Sequence, residues 1–233
     1  MFPPTCAFCA EASQPREDGA LLCETCVSRL AHAQNNLCPR CGIPAPEVAQ
    51  SDGDCAGCRA TKFGFSAVRS LGLYADDVRH AVLRMKHHAQ EHLAMALGCR
   101  LATVLAERPF PQLPELIVPI PMHWLSRLLR GTSAAETLAR SLAAAVSLPV
   151  AGDLLHCRRL LKRQALLLPS ERLLNVKGAY GVSRGYDISG ARILLVDDVI
   201  TTGATCDSAA RVLLQAGAAE VYAVSVARGT GPT

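Results

Sequence analysis

Aromatic side chains are scarce in this chain, whose 233 residues include one Trp, four Tyr and five Phe. Binders of single-stranded nucleic acid stack bases on aromatic side chains, so this scarcity argues against a stacking platform. No stretch approaches the roughly 20 apolar residues of a transmembrane helix, and we expect no membrane insertion. The first nine residues also lack the basic start and apolar centre of a signal peptide, which predicts a cytoplasmic protein.

Cysteine, in contrast, is abundant. The chain has 11 cysteines, and without an export signal they favour metal ligation over disulfides. Eight of them form C-x2-C pairs, and each of the first four recurs 32 positions later: Cys6, Cys9, Cys23, Cys26, Cys38, Cys41, Cys55 and Cys58. This internal duplication predicts two tetrahedral structural zinc sites, the first four cysteines on one and the later four on the other. Interleaved pairing and redox pairs are the alternatives.

The charge of this cysteine-rich segment opposes direct DNA contact. Residues 1–60 contain four Arg and seven acidic residues, and each zinc with four thiolates makes the segment more negative. We therefore interpret it as a docking or folding module that unfolds without its metal. The other cysteines, Cys99, Cys157 and Cys206, are predicted to be small apolar fillers.

Residues 193–208 are the most informative stretch of the chain. An apolar run, typical of a strand buried on both faces, is followed directly by Asp197 and Asp198. Small residues then open a helix that should stop at Gly217. Backbone N–H groups and hydroxyls at a helix start suit a phosphate, whereas an acidic pair suits sugar hydroxyls or a divalent cation. The alternative is an ordinary strand-turn-helix with a capping Thr.

This stretch resembles the loop that binds phosphoribosyl pyrophosphate (PRPP) in type I phosphoribosyltransferases, and the whole chain resembles the ComF family, which carries a cysteine-rich head before such a domain. The resemblance implies an α/β fold with a mostly parallel sheet flanked by helices, a zinc ribbon domain over residues 1–61 and a phosphoribosyltransferase domain over residues 62–233. The implied PRPP-binding residues, with the two aspartates as the catalytic pair, are Val196, Asp197, Asp198, Thr201, Thr202, Gly203, Ala204 and Thr205.

A second buried strand, residues 116–120, leads into a proline-stiffened loop with His123, Arg127, Arg130 and Gly131. Guanidinium groups pair bidentately with phosphates, so this loop suits pyrophosphate, and it resembles the family's pyrophosphate loop. The family usually continues Arg-Gly with Phe-Asn-Gln, where this chain has Thr-Ser-Ala. Ser133 and Glu136 predict a capping box for the helix that follows.

Residues 123–192 contain 11 basic and four acidic side chains. We interpret the part after residue 153 as a mobile lid over a polyanion, with a solvated helix face or a nucleic-acid contact as alternatives. Three of its residues stand at the offsets found in ComF-like chains, and the proposed lid residues are Arg163, Gln164, Arg172, Asn175 and Lys177.

Residues 63–90 are assigned to a hood over the site. Asp76 or Asp77 should cap a helix that runs to about Lys86, which matches a family Lys. The neighbouring His87, His88 and His92 are interpreted as a solvated polar face and not as a metal site.

The resemblance implies an enzyme of nucleotide metabolism: a phosphoribosyltransferase that binds PRPP with Mg2+ and transfers the phosphoribosyl group to an acceptor. The second hypothesis is a weakly active or inactive scaffold in competence, since ComF-family members are implicated in DNA uptake beside a helicase-type partner. Such a scaffold would act through that partner or through single-stranded DNA. The changed residues after Gly131 favour this second hypothesis, whereas the intact aspartates and threonines favour the first.

Overall fold

The computed structural model describes residues 5–12, 21–30, 37–45, 54–123, 133–162 and 167–230. Its centre is a parallel sheet of four strands: β1 (Ala67–Leu73), β2 (Leu116–Pro119), β5 (Arg192–Ile200) and β6 (Glu220–Arg228). The spatial order is β1-β6-β5-β2, so the last two strands of the chain form the middle of the sheet. This confirms the predicted parallel α/β fold.

Both faces of the sheet are covered. Successive side chains of a strand point to opposite faces, and in β5 Leu194 and Val196 join one apolar cluster while Ile193 and Leu195 join another. A strand buried on both sides has no polar face to present, which explains the uninterrupted apolar run in the sequence.

Helices supply the two outer layers. The first face packs against α3 (Asp76–Met85), α4 (Glu91–Glu107) and α5 (Ala134–Val146), and a short 3-10 turn, His88–Gln90, separates the first two. The opposite face packs against α6 (Pro169–Val176), α7 (Ala204–Gln215) and an antiparallel pair, β3 (Leu155–Cys157) with β4 (Tyr180–Val182).

The cysteine-rich segment is duplicated in structure as well as in sequence. The bridge from Thr5 to Ala12 is repeated by the bridge from Leu37 to Pro44. Likewise α1 (Glu24–Leu30) and α2 (Ala56–Ala60) begin at corresponding positions. Both halves need a left-handed residue at the same place, which is Ala10 (φ 63°) in one and Gly42 (φ 70°) in the other. We call the halves the first ribbon (residues 5–12 and 21–30) and the second ribbon (residues 37–45 and 54–60).

Each ribbon packs against a different part of the main body. Phe8, Leu22 and Leu30 of the first ribbon belong to the apolar cluster of α3 and α4. In the second ribbon the four cysteines form their own small cluster, in contact with Ile43 and Phe63. Both ribbons are therefore packed against the main body.

Four local predictions are wrong. Strand β5 does not end before the acidic pair but continues to Ile200, because its backbone stays paired with β6. Helix α3 has Ala75 as its N-cap, with both aspartates in the first turn. Ser133 is the N-cap of α5 but its side chain makes no capping hydrogen bond. Cys99 is exposed, whereas Cys206 is buried as predicted.

Candidate functional site

The acidic pair lies where β5 extends beyond the end of β2. Among the described residues, β2 pairs with β5 as far as Val196, and this pairing does not extend to Asp197. The backbone N–H of Asp198 donates a hydrogen bond of 2.8 Å to the Asp197 carboxylate. Burial, and then the charge of Asp198, raise the pKa of Asp197 well above its usual value, although the Asp198 N–H and Lys86 oppose this.

Lys86 reaches the pair from the end of α3. Its Nζ lies 2.7 Å from the Asp198 carboxylate. Burial lowers the pKa of Lys86, but the charge and hydrogen bond of Asp198 outweigh burial, and the pKa is raised overall. The structure thus joins Lys86 to the predicted site, while His87, His88 and His92 are exposed. Within the described residues, the groups of three or more side chains that could hold a metal are the two sets of four cysteines.

The threonine-rich loop turns directly from β5 into α7. Gly203 is the N-cap of α7 and has φ 81°, a left-handed conformation that a side chain would strain. The Thr202 hydroxyl accepts a weak hydrogen bond of 3.4 Å from the N–H of Ala204. The first intrahelical bond runs from the Asp207 N–H to the Gly203 carbonyl. The first-turn N–H groups and the hydroxyls of Thr201, Thr202 and Thr205 therefore collect at the positive end of the helix dipole.

Two stacked rings support this loop from below. The ring centroids of Phe63 and Phe65 lie 4.7 Å apart, and a Cβ added to Gly203 would lie 3.3 Å from ring atoms of both. The segment that carries the rings is held by α7, because the Gly64 N–H donates a 2.6 Å hydrogen bond to the Asp207 carboxylate. Sequence reasoning missed both phenylalanines as supports of the loop.

Arg228 is the largest omission of the sequence analysis. It is the last residue of β6 and is only 2% exposed. Its guanidinium donates to the carbonyls of Ile200 (2.8 Å), Gly229 (2.8 Å) and Cys41 (2.6 Å), and also to that of Thr201. Burial lowers the pKa of Arg228, and the Cys41 and Cys206 thiols oppose this. A charged residue that ends a mostly apolar, buried strand is the signal that could have revealed it.

The predicted pyrophosphate loop is only partly visible. Strand β2 delivers the chain to the same edge as the acidic pair, because the Ile120 N–H donates a 2.9 Å hydrogen bond to the Val196 carbonyl. His123 is half-buried just beyond this point. Arg127, Arg130 and Gly131 lie outside the described residues, as do Arg163 and Gln164 of the predicted lid.

The remaining lid residues are engaged with their own segment. The Asn175 side chain accepts from the Lys162 N–H (3.2 Å) and donates to the Lys162 carbonyl (3.0 Å). Arg172 donates to the Leu167 carbonyl, and the carbonyl of Lys177 accepts from Arg159. Asn175 therefore ties its helix to the backbone of Lys162. The lid itself stays a prediction.

The cysteines form the two predicted clusters, without interleaving: Cys6, Cys9, Cys23 and Cys26, then Cys38, Cys41, Cys55 and Cys58. A tetrahedral zinc site with Zn–S bonds of about 2.3 Å separates its sulfurs by about 3.8 Å. The Sγ atoms of Cys9 and Cys23 lie 3.8 Å apart, those of Cys38 and Cys58 3.9 Å and those of Cys41 and Cys55 3.6 Å. Each cluster thus has the size of a structural zinc site and no position left for a substrate.

Backbone N–H groups prepare the first cysteine of each cluster for a metal. Burial raises the pKa of the Cys6 thiol, but hydrogen bonds from the backbone of Cys23, Cys9 and Phe8 lower it to about 6. The pKa of the Cys38 thiol is lowered in the same way, to about 7. Thiolates are the species that bind zinc, so these amides favour the ligating form.

Family comparisons agree with this geometry. Residues 91–232 match the phosphoribosyl transferase domain, and residues 1–61 match the double zinc ribbon domain. The chain therefore belongs to the phosphoribosyltransferase domain family. The double zinc ribbon before this domain is the arrangement that the resemblance to the ComF family implies.

Three relatives illustrate the relationship. DNA utilization protein YhgH of Escherichia coli O6:H1 is 29% identical over 212 residues, which cover 86% of this chain and 87% of that protein. Competence protein F of Haemophilus influenzae is 27% identical over 221 residues, covering 88% and 96% respectively. Competence protein ComFC of Bacillus subtilis is 28% identical over 204 residues, covering 85% and 80%.

Solved structures are more distant. Glutamine PRPP amidotransferase from B. subtilis has a TM-score of 0.39 and 22% identity, covering 58% of this chain and 26% of that chain. Adenine phosphoribosyltransferase from Leishmania tarentolae has a TM-score of 0.35 and 18% identity, covering 56% and 54%. The fold assignment accordingly rests on the family match and the strand order. No helix in the described part of the chain is long and apolar enough to cross a membrane.

Proposed function

We propose that this protein binds PRPP together with Mg2+ and transfers its phosphoribosyl group to an acceptor, releasing pyrophosphate. One observation carries the proposal: Asp197 and Asp198 stand three residues before a loop that turns into the N-terminus of α7. A ligand that joins a ribose to a 5-phosphate needs acceptors for the sugar hydroxyls and donors for the phosphate, separated by about the length of one sugar. The family membership and the relatives' competence names are compatible with this chemistry without specifying it.

In this proposal two kinds of protein group bind the two parts of the ligand. The hydroxyls of Thr201, Thr202 and Thr205 and the first-turn N–H groups of α7 hold the 5-phosphate. The carboxylates of Asp197 and Asp198 accept hydrogen bonds from the ribose 2- and 3-hydroxyls. Since Lys86 lies 2.7 Å from the Asp198 carboxylate, it fixes the position of that carboxylate beside the ribose.

The leaving group requires positive charge. Pyrophosphate departs from the anomeric carbon, which passes through an oxocarbenium-like state, so electrostatic stabilisation is the main contribution of the protein. His123, Arg127 and Arg130 are proposed to face the pyrophosphate, with the basic lid segment above. Mg2+ bound to the pyrophosphate would neutralise part of its charge, and the carboxylate oxygens of the acidic pair are the ligand type that this cation prefers.

Calorimetric titration of PRPP and Mg2+ into the zinc-loaded protein tests the proposal. We expect micromolar binding that weakens about 10- to 150-fold in Asp198→Asn and Thr202→Val, because hydrogen bonds involving charged groups are worth about 1.5–3 kcal/mol. Asp187→Asn is the matched control, since Asp187 is exposed and precedes the opposite end of β5. Absence of heat from folded, zinc-replete protein at high PRPP would sink the proposal.

A second candidate function is supported by the relatives, two of which are named competence proteins and one a DNA utilization protein. In that case the chain is a scaffold of low or no turnover, which contacts a helicase-type partner or single-stranded DNA. Binding of a fluorescent single strand over a salt series separates the two. A steep fall of affinity with salt supports a DNA role, and absence of binding even at low salt removes it.

A further inference from the structure

The second ribbon and the phosphate-binding loop are joined by one buried side chain. Arg228 donates to the Cys41 carbonyl within a cysteine knuckle of the second ribbon. The same guanidinium donates to the carbonyls of Ile200 and Thr201, where β5 becomes the loop. Both segments accept through backbone carbonyls, and the guanidinium between them is buried, so a shift of the knuckle is passed to the loop through this one side chain.

A parallel contact runs through Phe63. This ring packs against the cysteine cluster of the second ribbon and also stacks on Phe65, directly under Gly203. The chain beside it is fixed from the other side, since Arg211 donates to the Lys62 carbonyl. The loop therefore rests on the second ribbon at two points, Thr201 through the guanidinium and Gly203 through the rings.

Charge explains why an arginine occupies this place. A cluster of four thiolates around one zinc has a net charge of about −2, and a buried cation beside it has a stabilising partner. In this planar group Nε donates to the Cys41 carbonyl while Nη1 faces the carbonyls of Ile200, Thr201 and Gly229, so one side chain reaches three chain segments at once. Lysine has three donors on a single atom and can satisfy only part of this set.

We propose that Arg228 is a positioning residue, which transmits the shape of the metal-loaded second ribbon to the Thr201–Thr205 loop and thereby sets its affinity for PRPP. Loss of metal from the second cluster should then weaken the phosphate site, although the cysteines lie outside it. This inference rests on the proposed PRPP function for its effect on ligand affinity. The mechanical link between ribbon and loop does not depend on it.

Hydrogen exchange tests the link in the ligand-free, zinc-loaded full chain. In Arg228→Met we expect faster exchange of the backbone amides over residues 199–206, with Arg228→Lys between this variant and the wild type. Arg69→Met is the matched control, because Arg69 also donates to the second ribbon, at the Pro39 carbonyl, and to Arg108 and Pro109, but these lie away from the loop. Equal exchange of the loop in all four proteins overturns the proposal.

Ligand affinity provides the second readout. In Arg228→Met we expect PRPP binding to weaken by about 5- to 150-fold, the range typical of coupled sites. Binding should recover in part in Arg228→Lys and should stay within about twofold of the wild type in Arg69→Met. Zinc content and unfolding temperature are measured for each variant, so that binding is compared only between folded, metal-replete proteins. If Arg228→Met fails to fold, Arg228→Lys carries the test alone.

Reciprocity supplies a spectroscopic check that a merely structural arginine would not pass. If the second cluster favours PRPP binding, PRPP must favour metal binding at that cluster by the same factor. In cadmium-substituted protein, which gives one NMR resonance per site, PRPP should shift one of the two resonances, the same one that Arg228→Lys shifts. Shifts of both resonances or of neither contradict the proposal. If the wild type fails to bind PRPP at all, the proposed function fails, while the exchange experiment still decides the link.

Discussion

Asp197 illustrates the conflict between stability and ligand binding at a single residue. Its side chain is partly buried beside Asp198, and the pKa of Asp197 is raised well above its usual value by burial and then by that neighbouring charge. A raised carboxyl pKa means that the folded chain holds the proton more tightly than the unfolded chain. This group therefore stabilises the fold most below its unfolded pKa of about 3.9, and the contribution declines as the pH rises toward the folded pKa.

Replacement of Asp197 by Asn should accordingly stabilise the ligand-free protein at neutral pH. Asn cannot ionise, and its side-chain oxygen can still accept the hydrogen bond from the Asp198 N–H. We expect the free energy of unfolding to rise at pH 7.5, because Asn removes the cost of ionising a carboxyl whose pKa is raised in the folded chain. Urea denaturation at pH 7.5 and at pH 4 measures it, and the gain should shrink at the lower pH.

The exposed Asp187 serves as the control, because the backbone N–H of Ser189 lowers its pKa instead of raising it. Asp187→Asn should produce no stabilisation at neutral pH. A stabilisation of Asp197→Asn that is equal at both pH values would show that the gain does not come from the carboxylate charge.

Lys86 offers a complementary prediction at the same scale. Its ammonium group neutralises Asp198 at 2.7 Å, so Lys86→Met should increase the repulsion between the two aspartates. We expect weaker PRPP binding, with the loss largest at alkaline pH, where both carboxylates of the variant are ionised. Calorimetry at two pH values checks this. A uniform loss across pH would indicate that Lys86 contacts the ligand itself and does not act through Asp198.

At the scale of elements, close packing decides against local propensity. Helices α4 and α5 approach so closely at Gly98 that an added Cβ would lie 2.7 Å from the Leu138 carbonyl oxygen and 2.7 Å from Ser141 Cβ. Helix propensity alone favours Ala over Gly by about 1 kcal/mol. The neighbouring atoms are backbone or lie close to it, so they cannot move aside cheaply.

We therefore expect Gly98→Ala to lower the free energy of unfolding, by about 1–3 kcal/mol as is typical of overpacked cores. Cys99→Ala, at the next and exposed position of the same helix, should change it by less than about 0.5 kcal/mol. Chemical denaturation of both variants measures the difference. Stabilisation by Gly98→Ala would mean that the helices can separate and that propensity governs here.

The wrong element boundaries have one physical cause. Strand β5 was expected to end where apolar residues give way to aspartates, but pairing continues through Asp197 and Val199 to Ile200 because β6 is equally long. Likewise Asp77 does not cap α3, and its carboxylate binds Arg29 of the first ribbon instead. In both cases a distant segment determines what the local sequence leaves open.

At the scale of the whole molecule, the first ribbon shares the apolar core of the main body, and the second ribbon is tied to that body through Phe63 and Arg228. Cys26 and Leu30 of the first ribbon share an apolar cluster with Leu71 of the central sheet and Val78 of α3. Metal that binds such a cluster contributes its binding free energy to folding. Removal of metal should thus affect the entire chain and not only its first 60 residues.

Chelation of zinc is therefore expected to lower the unfolding temperature of the sheet and the ribbons together, in one transition. Thermal unfolding followed by far-ultraviolet circular dichroism, before and after treatment with a chelator, makes the measurement, and restored zinc should reverse the change. An apo protein whose sheet melts at the original temperature would show that the ribbons fold independently.

The sequence by itself determined the features that depend on local order. The duplicated cysteine spacing predicted two four-thiolate clusters, and the apolar run, acidic pair and threonine-rich turn predicted a buried parallel strand leading into a helix. These patterns are local because a knuckle or a strand-to-helix turn is formed by neighbouring residues. The resemblance to ComF proteins is carried by the same short motifs, which is why family and fold followed from them.

Only the tertiary structure decided which distant residues support these motifs. The contact of Lys86 with Asp198 spans 112 positions as their numbers show, and that of Arg228 with Cys41 spans 187. No periodicity or spacing encodes such contacts, because they arise from the order of strands in the sheet and from the packing of each ribbon. Burial of a guanidinium among backbone carbonyls is a property of the assembled core, and it connects the second ribbon to the loop that begins at Thr201.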